Sequence, residues 1–313
     1  MSAPHPTPSA RGFVHSAVFY GTDREYLATL VPFVTDGLAS GQPVAVAVPG
    51  PRLGLLRAAL GPAADGVTLI DMTEAGRNPG RIIAAVLRRF ADAHPGGHVR
   101  IVGEPIWPGR TALEYPACVQ HEALINAAFA GRDVTIACPY DTAGLAPGVV
   151  ADARATHPLV WEPGRRRASD EYSPDAVLDR YNLPFDEAGA SDEFAAVSLD
   201  DVSPARRHAA DAARCRGLDA GRVADVELIV TELVTNALRH TGGGCRSRVW
   251  RESGHLVCEV RDTGCFEDPL AGRLPAPPGQ VEGRGLLMIH QLADLVRVHT
   301  TAHGTTLRAW LRL

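Results

Sequence analysis

Apolar and polar positions follow one rhythm over the first half of the chain and another over the second. HSAVFY (15–20), PVAVAVP (43–49), VTLIDM (67–72), VRIVGEP (99–105) and VTIACPY (134–140) are nearly continuous apolar runs. That is the pattern of strands covered on both faces. Helical periodicity fills the gaps, over Asp23 to Ser40, Pro51 to Leu60, Pro79 to Ala93 and Tyr115 to Ala130. Alternation of this kind predicts βαβ units, hence a three-layer α/β domain with a five-stranded parallel sheet over residues 13–163. From Phe194 the order changes. It predicts a strand to Leu199, a helix capped by Ser203-Pro204 and running to Cys215, and a helix from Asp225. Next come a hairpin, Arg246 to Glu252 and Leu256 to Arg261 across Ser253-Gly254, then a helix from Gly285 to Ala293. A second hairpin, Leu295 to Thr300 and Thr305 to Leu313, turns at His303-Gly304. Residues 194–313 thus read as an α/β sandwich, with helices on one face of a mixed sheet. Between the halves, 164–193 reads as a solvated connector. It holds Arg165-Arg166-Arg167, then Ser169-Asp170-Glu171, a short helix from Pro174 to Tyr181, and the polar segment LPFDEAGASDE. Residues 1–12, rich in Pro, Ser and Ala, are expected to be disordered.

Composition narrows the classes. Thirty-one basic and 36 acidic residues, interspersed to a net −5, give no field suited to nucleic acid or an anionic membrane. The six cysteines form no C-x-x-C pair, so neither a zinc knuckle nor a disulfide framework is signalled. No secretory h-region or membrane-length apolar run occurs, and a cytoplasmic protein is expected.

Candidate chemistry concentrates on the helix from Asp225. Apolar Val226, Ile229, Val230, Leu233, Val234, Ala237 and Leu238 form its core stripe, and Glu232 and Asn236 share a line beside it, one turn apart. A carboxylate and an amide so placed offer oxygens to a hard cation such as Mg²⁺, or a base. A solvated helix face accounts for the same pair. Three further polar stations end elements: Asp262-Thr263-Gly264, Gly283-Arg284-Gly285-Leu286, and His303-Gly304-Thr305-Thr306. The first suits a flat ring with an exocyclic amine, the second a phosphate at a helix N-terminus. In the first half, Glu104, Trp107 and Tyr140 follow strands where ligands of parallel sheets bind, with His15, His121 and Glu122 joining them only if the fold allows. Loop packing, capping and a solvated helix face are the readings favoured for these residues, because no pair among them has metal or triad spacing. Pro49 to Gly54 has glycines but no G-K-[ST], which excludes a phosphate-binding loop of Walker type.

HSAVFYGTDREYL, GQPVAVAVP, DMTEAGRNPGRII, GEPIW, QHEALIN and CPYDT together resemble the MEDS domain, a sensory module on regulators of methylotrophs, methanogens and many actinobacteria. That resemblance implies a RecA-like α/β sensor without the phosphate-binding loop, its ligand open. In the second half, E-x-x-x-N on a helix, D-x-G after a strand, G-x-G-L before a helix and G-T-T in the last hairpin resemble the GHKL (Bergerat) ATP-binding fold. The likeness is to anti-sigma serine/threonine kinases of the RsbW type, and the pair of domains resembles RsbA-family regulators.

This second resemblance implies Mg-ATP as ligand, Glu232 as general base, Asn236 as Mg²⁺ ligand, Asp262 and Gly264 at adenine, and Gly283 and Gly285 at phosphate. Arg239, His240, Arg284, Leu286, Thr305 and Thr306 complete the expected nucleotide site. A sigma factor and an anti-anti-sigma protein are the implied partners, and a homodimer is compatible with it. Two departures stand out. Phe266 replaces the second glycine of D-x-G-x-G, and His208 lacks a phosphoacceptor's acidic-proline context, so histidine autokinase activity is not expected. Cys265 to Glu282, rich in proline and glycine, is expected to be a lid. A non-catalytic ATP-dependent switch is the alternative; a Hsp90- or gyrase-type machine is disfavoured, because the chain ends with the nucleotide domain.

Overall fold

The computed structural model describes residues 12–275 and 283–313. The five expected strands of the first half form as β1 (Val14–Tyr20), β2 (Val44–Val48), β3 (Val67–Asp71), β4 (Val99–Gly103) and β5 (Val134–Asp141). Two more join them, β6 (Leu159–Glu162) and β7 (Arg165–Ala168), giving the order β3-β2-β4-β5-β1-β6-β7. All pairings are parallel except β6 with β7. Alternate residues of each strand enter different cores: Ala17 and Phe19 pack beneath the Tyr115–Ala128 and Pro147–Thr156 helices, Val18 and Tyr20 beneath the Asp23–Ala39 and Gly50–Leu60 helices. The sheet is therefore the middle of three layers.

The connector expected over 164–193 is largely structured. Gly164, at φ 74°, turns β6 into β7, and the arginine run becomes an edge strand whose charged side chains face water. Arg166 stacks on Trp161 at 3.6 Å. The Pro174–Arg180 helix follows, and its Val177 is wholly buried in the core of the first half. Charge density pointed to solvent; pairing at a sheet edge and one apolar anchor hold the segment instead. The helix expected over Pro79 to Ala93 forms as Pro79–Ile82 and Arg89–Asp92 around a π-helical stretch, Ile83–Arg88.

In the second half β8 (Asp192–Ala196), β9 (Cys245–Glu252), β10 (His255–Asp262), β11 (Leu295–Thr301) and β12 (Gly304–Arg312) stand in the order β11-β12-β10-β9-β8. Every pairing is antiparallel, which corrects the mixed sheet read from the sequence. The helices between β8 and β9 and between β10 and β11 lead into strands whose sheet neighbours are antiparallel rather than parallel. Ser253 and Gly254, at φ 46° and 78°, supply the two left-handed residues that a tight β9–β10 hairpin needs. The Val202–Cys215, Ala220–Thr241 and Gly285–Leu292 helices cover one face through Leu256, Cys258, Val260, Ala309 and Leu311.

The opposite face carries Trp250, Val257, Leu295 and Trp310, buried against Ala117 of the Tyr115–Ala128 helix and against Leu113, Phe185 and Ala188. Glu259 and Arg308 pair there at 2.6 Å. Asn78 fastens the same junction. Its Oδ1 accepts from Gly80 N–H at 3.0 Å, capping the Pro79–Ile82 helix, while Nδ2 donates to His290 O at 2.9 Å and Ala293 O at 3.3 Å. Among the described residues, no helix is long and apolar enough to cross a membrane.

Replacing Asn78 by Ala strands two buried carbonyls and removes a cap, so we expect a loss of about 1–3 kcal/mol in chemical denaturation. The unfolding transition should broaden or split as the halves separate; an unchanged midpoint and slope would show that the junction is held elsewhere.

Candidate functional site

The Ala220–Thr241 helix starts at Asp219, whose side chain accepts from Gly221 N–H at 2.8 Å, and stops at Gly242 in the left-handed conformation, φ 62°. Its buried stripe from Val223 to Ala237 fixes its rotation over the sheet. Asn236 and His240 consequently border a cavity of about 610 Å³ between this helix, the end of β10, β12 and the start of the Gly285–Leu292 helix. Asp262, Gly264, Gly283, Gly285, Leu286 and Thr305 line it too.

The end of the cavity at Asp262 is built by hydrogen bonds. Asp262 Oδ1 accepts from Gly264 N–H at 2.7 Å, which leaves Oδ2 to accept from a ligand's exocyclic amine. Burial raises the Asp262 carboxyl above its ordinary range, opposed by the Gly264 N–H and by His240. Thr305 Oγ1 donates to Gly264 O at 2.8 Å and lies 2.8 Å from Thr300 Oγ1, which accepts from Phe266 N–H at 3.0 Å. Two threonines thus hold the turn in which Phe266 replaces a glycine. A Cβ on Gly264 would come 2.5 Å from Thr241 Cγ2, so only glycine fits against the helix there. At the other end, Gly285 opens its helix with no side-chain cap, leaving N–H groups for an anion.

The remaining predicted residues sit apart from the lining. Arg239 and Arg284 are exposed and do not border the cavity, and Thr306 alternates to the other side of β12 from Thr305. Glu232, half-buried, lies against Gly285: a Cβ on that glycine would meet its Oε2 at 2.2 Å. Sequence reasoning missed Thr241. The cavity is also walled by Leu270, Ala271, Gly272 and Leu274. These belong to the segment expected to be a lid, of which 276–282 lie outside the described residues. Leu270 and Leu274 also pack on the core of the first half, and Arg273 is buried.

The six residues proposed for a pocket in the first half separate into groups. Glu104 meets Tyr20 and Tyr26, at 3.5 and 3.4 Å, and Arg52 covers both rings at 5.1 and 5.0 Å. Trp107 lies under Arg110, at 3.9 Å. His121 is buried with Nδ1 unpartnered, and burial lowers its pKa to about 3. His15, Glu122 and Tyr140 do converge, 0–1% exposed, on the opposite face of the sheet from Tyr20.

Residues 14–158 match the family model MEDS, the MEthanogen/methylotroph, DcmR Sensory domain, and residues 195–311 match the Histidine kinase-like ATPase domain. No curated protein matches the chain. Among solved structures, the RsbU and RsbW domains of a Mycobacterium tuberculosis protein are 20% identical, covering 40% of this chain and 33% of that one, with a TM-score of 0.32. The SiaB-SiaC complex from Pseudomonas aeruginosa is 15% identical, covering 38% of this chain and 88% of that one, with a TM-score of 0.30. The chain spans a third of the length of the first of these.

Burial raises the Glu104 carboxyl from 4.5 to about 8, against the pull of Arg52 and the two tyrosine hydroxyls. The folded chain then keeps a proton that the unfolded chain has lost. Stability should fall as pH rises between 4.5 and about 8, with a slope approaching ~1.4 kcal/mol per pH unit from this group. Glu104→Gln should remove that slope in denaturation curves across the window; an unaltered slope would place its origin elsewhere.

Proposed function

We propose that this chain, in which a MEDS sensory domain is joined to a histidine kinase-like ATPase domain, is a sensor-coupled anti-sigma factor and serine/threonine protein kinase. It binds Mg-ATP and phosphorylates an anti-anti-sigma partner, working in the cytoplasm, where its six unpaired cysteines stay reduced. The observation that carries the reading is the cavity bordered at once by Asn236, Asp262, Gly264 and Gly285.

An ATPase domain implies ATP as the ligand, and the residues present fit it. Gly264 admits a flat base beside Asp262, and the uncapped Gly285 N-terminus faces the phosphate end. Asn236 would hold Mg²⁺ through its carbonyl oxygen, and the ion would neutralise phosphate charge. Glu232 stands one helical turn from Asn236, beside Gly285, where its carboxylate would accept the proton of a serine or threonine hydroxyl offered by the partner. Nucleotide-dependent exchange between this partner and a sigma factor would make phosphorylation the output. The sensory half reaches the site through Leu270 and Leu274, which border the cavity and pack on the core of the first half.

A second reading, an ATP-dependent binding switch without phosphotransfer, is favoured by one feature. Glu232 does not itself line the cavity, and its carboxylate rests against the N-terminus of the Gly285–Leu292 helix.

Two variants separate the readings. Asn236→Ala should lose magnesium-dependent ATP binding in titration calorimetry, by tenfold or more. Glu232→Gln should bind ATP normally while serine phosphorylation of the anti-anti-sigma partner falls roughly 100-fold or more. Partner exchange that persists in Glu232→Gln would support the switch, and absence of ATP binding in the wild type would remove both.

A further inference from the structure

On the face of the parallel sheet beneath the Tyr115–Ala128 helix, four side chains from distant parts of the chain meet. They are His15 of β1, Glu122 of that helix, Cys138 of β5 and His157 just after the Pro147–Thr156 helix, each 0–1% exposed. His15 Nε2 and His157 Nε2 each lie 3.3 Å from Glu122 Oε2, Cys138 Sγ lies 3.4 Å from His15 Nε2, and the four donor atoms all fall within 4.8 Å of one another.

The outer nitrogens fix what the inner ones can do. Asn126 uses its amide N–H groups on Thr156 O at 2.8 Å and Ala123 O at 3.2 Å, so the Oδ1 it turns to His15 Nδ1, at 3.1 Å, is an acceptor. His157 Nδ1 lies 2.8 Å from Ala153 O, which can only accept. Both imidazoles therefore carry a proton on Nδ1 and turn Nε2 toward the Glu122 carboxylate. His157 Nε2, both Glu122 oxygens and the Tyr140 hydroxyl, all buried, have no hydrogen-bond partner. Buried donor atoms that converge on one point without partners are the groups a bound cation would satisfy.

We infer that His15, Glu122, Cys138 and His157 form a binding site for one divalent metal ion of borderline softness, zinc foremost. A tetrahedral ion with donors at about 2.0–2.3 Å has donor-to-donor edges of about 3.3–3.7 Å, and the three close contacts have that length. Thiolate and imidazole ligands disfavour magnesium and calcium. Charge balances as well: the two positive charges of the ion meet one carboxylate and one thiolate, and the imidazoles are neutral, so the filled site is uncharged where burial of net charge is costly. The Asn126 and Ala153 acceptors play the part that outer hydrogen bonds play for metal-bound histidines. On binding, the Cys138 S–H bond breaks as the sulfur–metal bond forms, and the proton leaves to solvent. With four protein ligands the site is closed, and it joins the sheet to the helix that docks on the second half through Ala117.

The test uses the full chain with the exposed Cys215 and Cys265 changed to Ser, stripped by chelator and titrated with Co²⁺. One equivalent should bind with tetrahedral d–d bands and a sulfur-to-cobalt charge-transfer band, and zinc should displace it. Apparent affinity should rise up to about tenfold per pH unit while the thiol is the proton released. Cys138→Ser should abolish the charge-transfer band, and Glu122→Gln should weaken binding at least tenfold, with circular dichroism reporting the fold. No cobalt spectrum at one equivalent, or a charge-transfer band that survives Cys138→Ser, overturns the assignment. If Cys138→Ser fails to fold, His157→Ala takes its place: it should lower affinity at least tenfold, and unchanged affinity overturns the site.

Discussion

An antiparallel sheet with apolar residues on both faces must be covered twice, and this need organises the molecule. Helices cover one face of the second sheet. Trp250, Val257, Leu295 and Trp310 on the other would leave a large apolar patch in water, and the first half covers it. Once that face is docked, the rest follows. The Tyr115–Ala128 helix is shared by a core and an interface, the segment at 184–190 lies in the junction, and Asn78 can cap one helix while closing the end of another across the boundary. Two domains that the sequence separates with a polar connector are thus packed against each other.

The strands of the first half were legible because residues buried on both faces must be apolar throughout, and a run such as VAVAV admits few other readings. The cavity of the second half was legible for a different reason: Asn236, Asp262, Gly264 and Gly285 keep their order along the chain and border one space. Side-chain direction was not. Arg239 and Arg284 are immediate sequence neighbours of lining residues, yet both are exposed and neither borders the cavity; one helical step from His240 is enough to turn Arg239 away from it. The β7 edge strand was hidden by its own arginines, whose charge suits a sheet edge as well as it suits a connector.

His157 shows the limit of pattern reading most plainly. Nothing in ATHPLV marks it, and its partners lie 35 residues away at Glu122, 19 away at Cys138 and 142 away at His15. Spacing rules for metal sites describe ligands that share a loop or a helix; ligands gathered by a sheet and two helices carry no such signature. The apolar flanks that bury the cluster were visible, but which polar group each flank would shelter depended on strand order.

The wall formed by Leu270 and Leu274 has a thermodynamic consequence. Because the same side chains bound the cavity and contribute to the neighbouring core, a ligand that favours one arrangement of that wall also favours the packing of the neighbouring core that goes with it. Reciprocity then holds between the two compartments: wherever a ligand of one changes the affinity of the other for its own ligand, the second changes the first by the same factor.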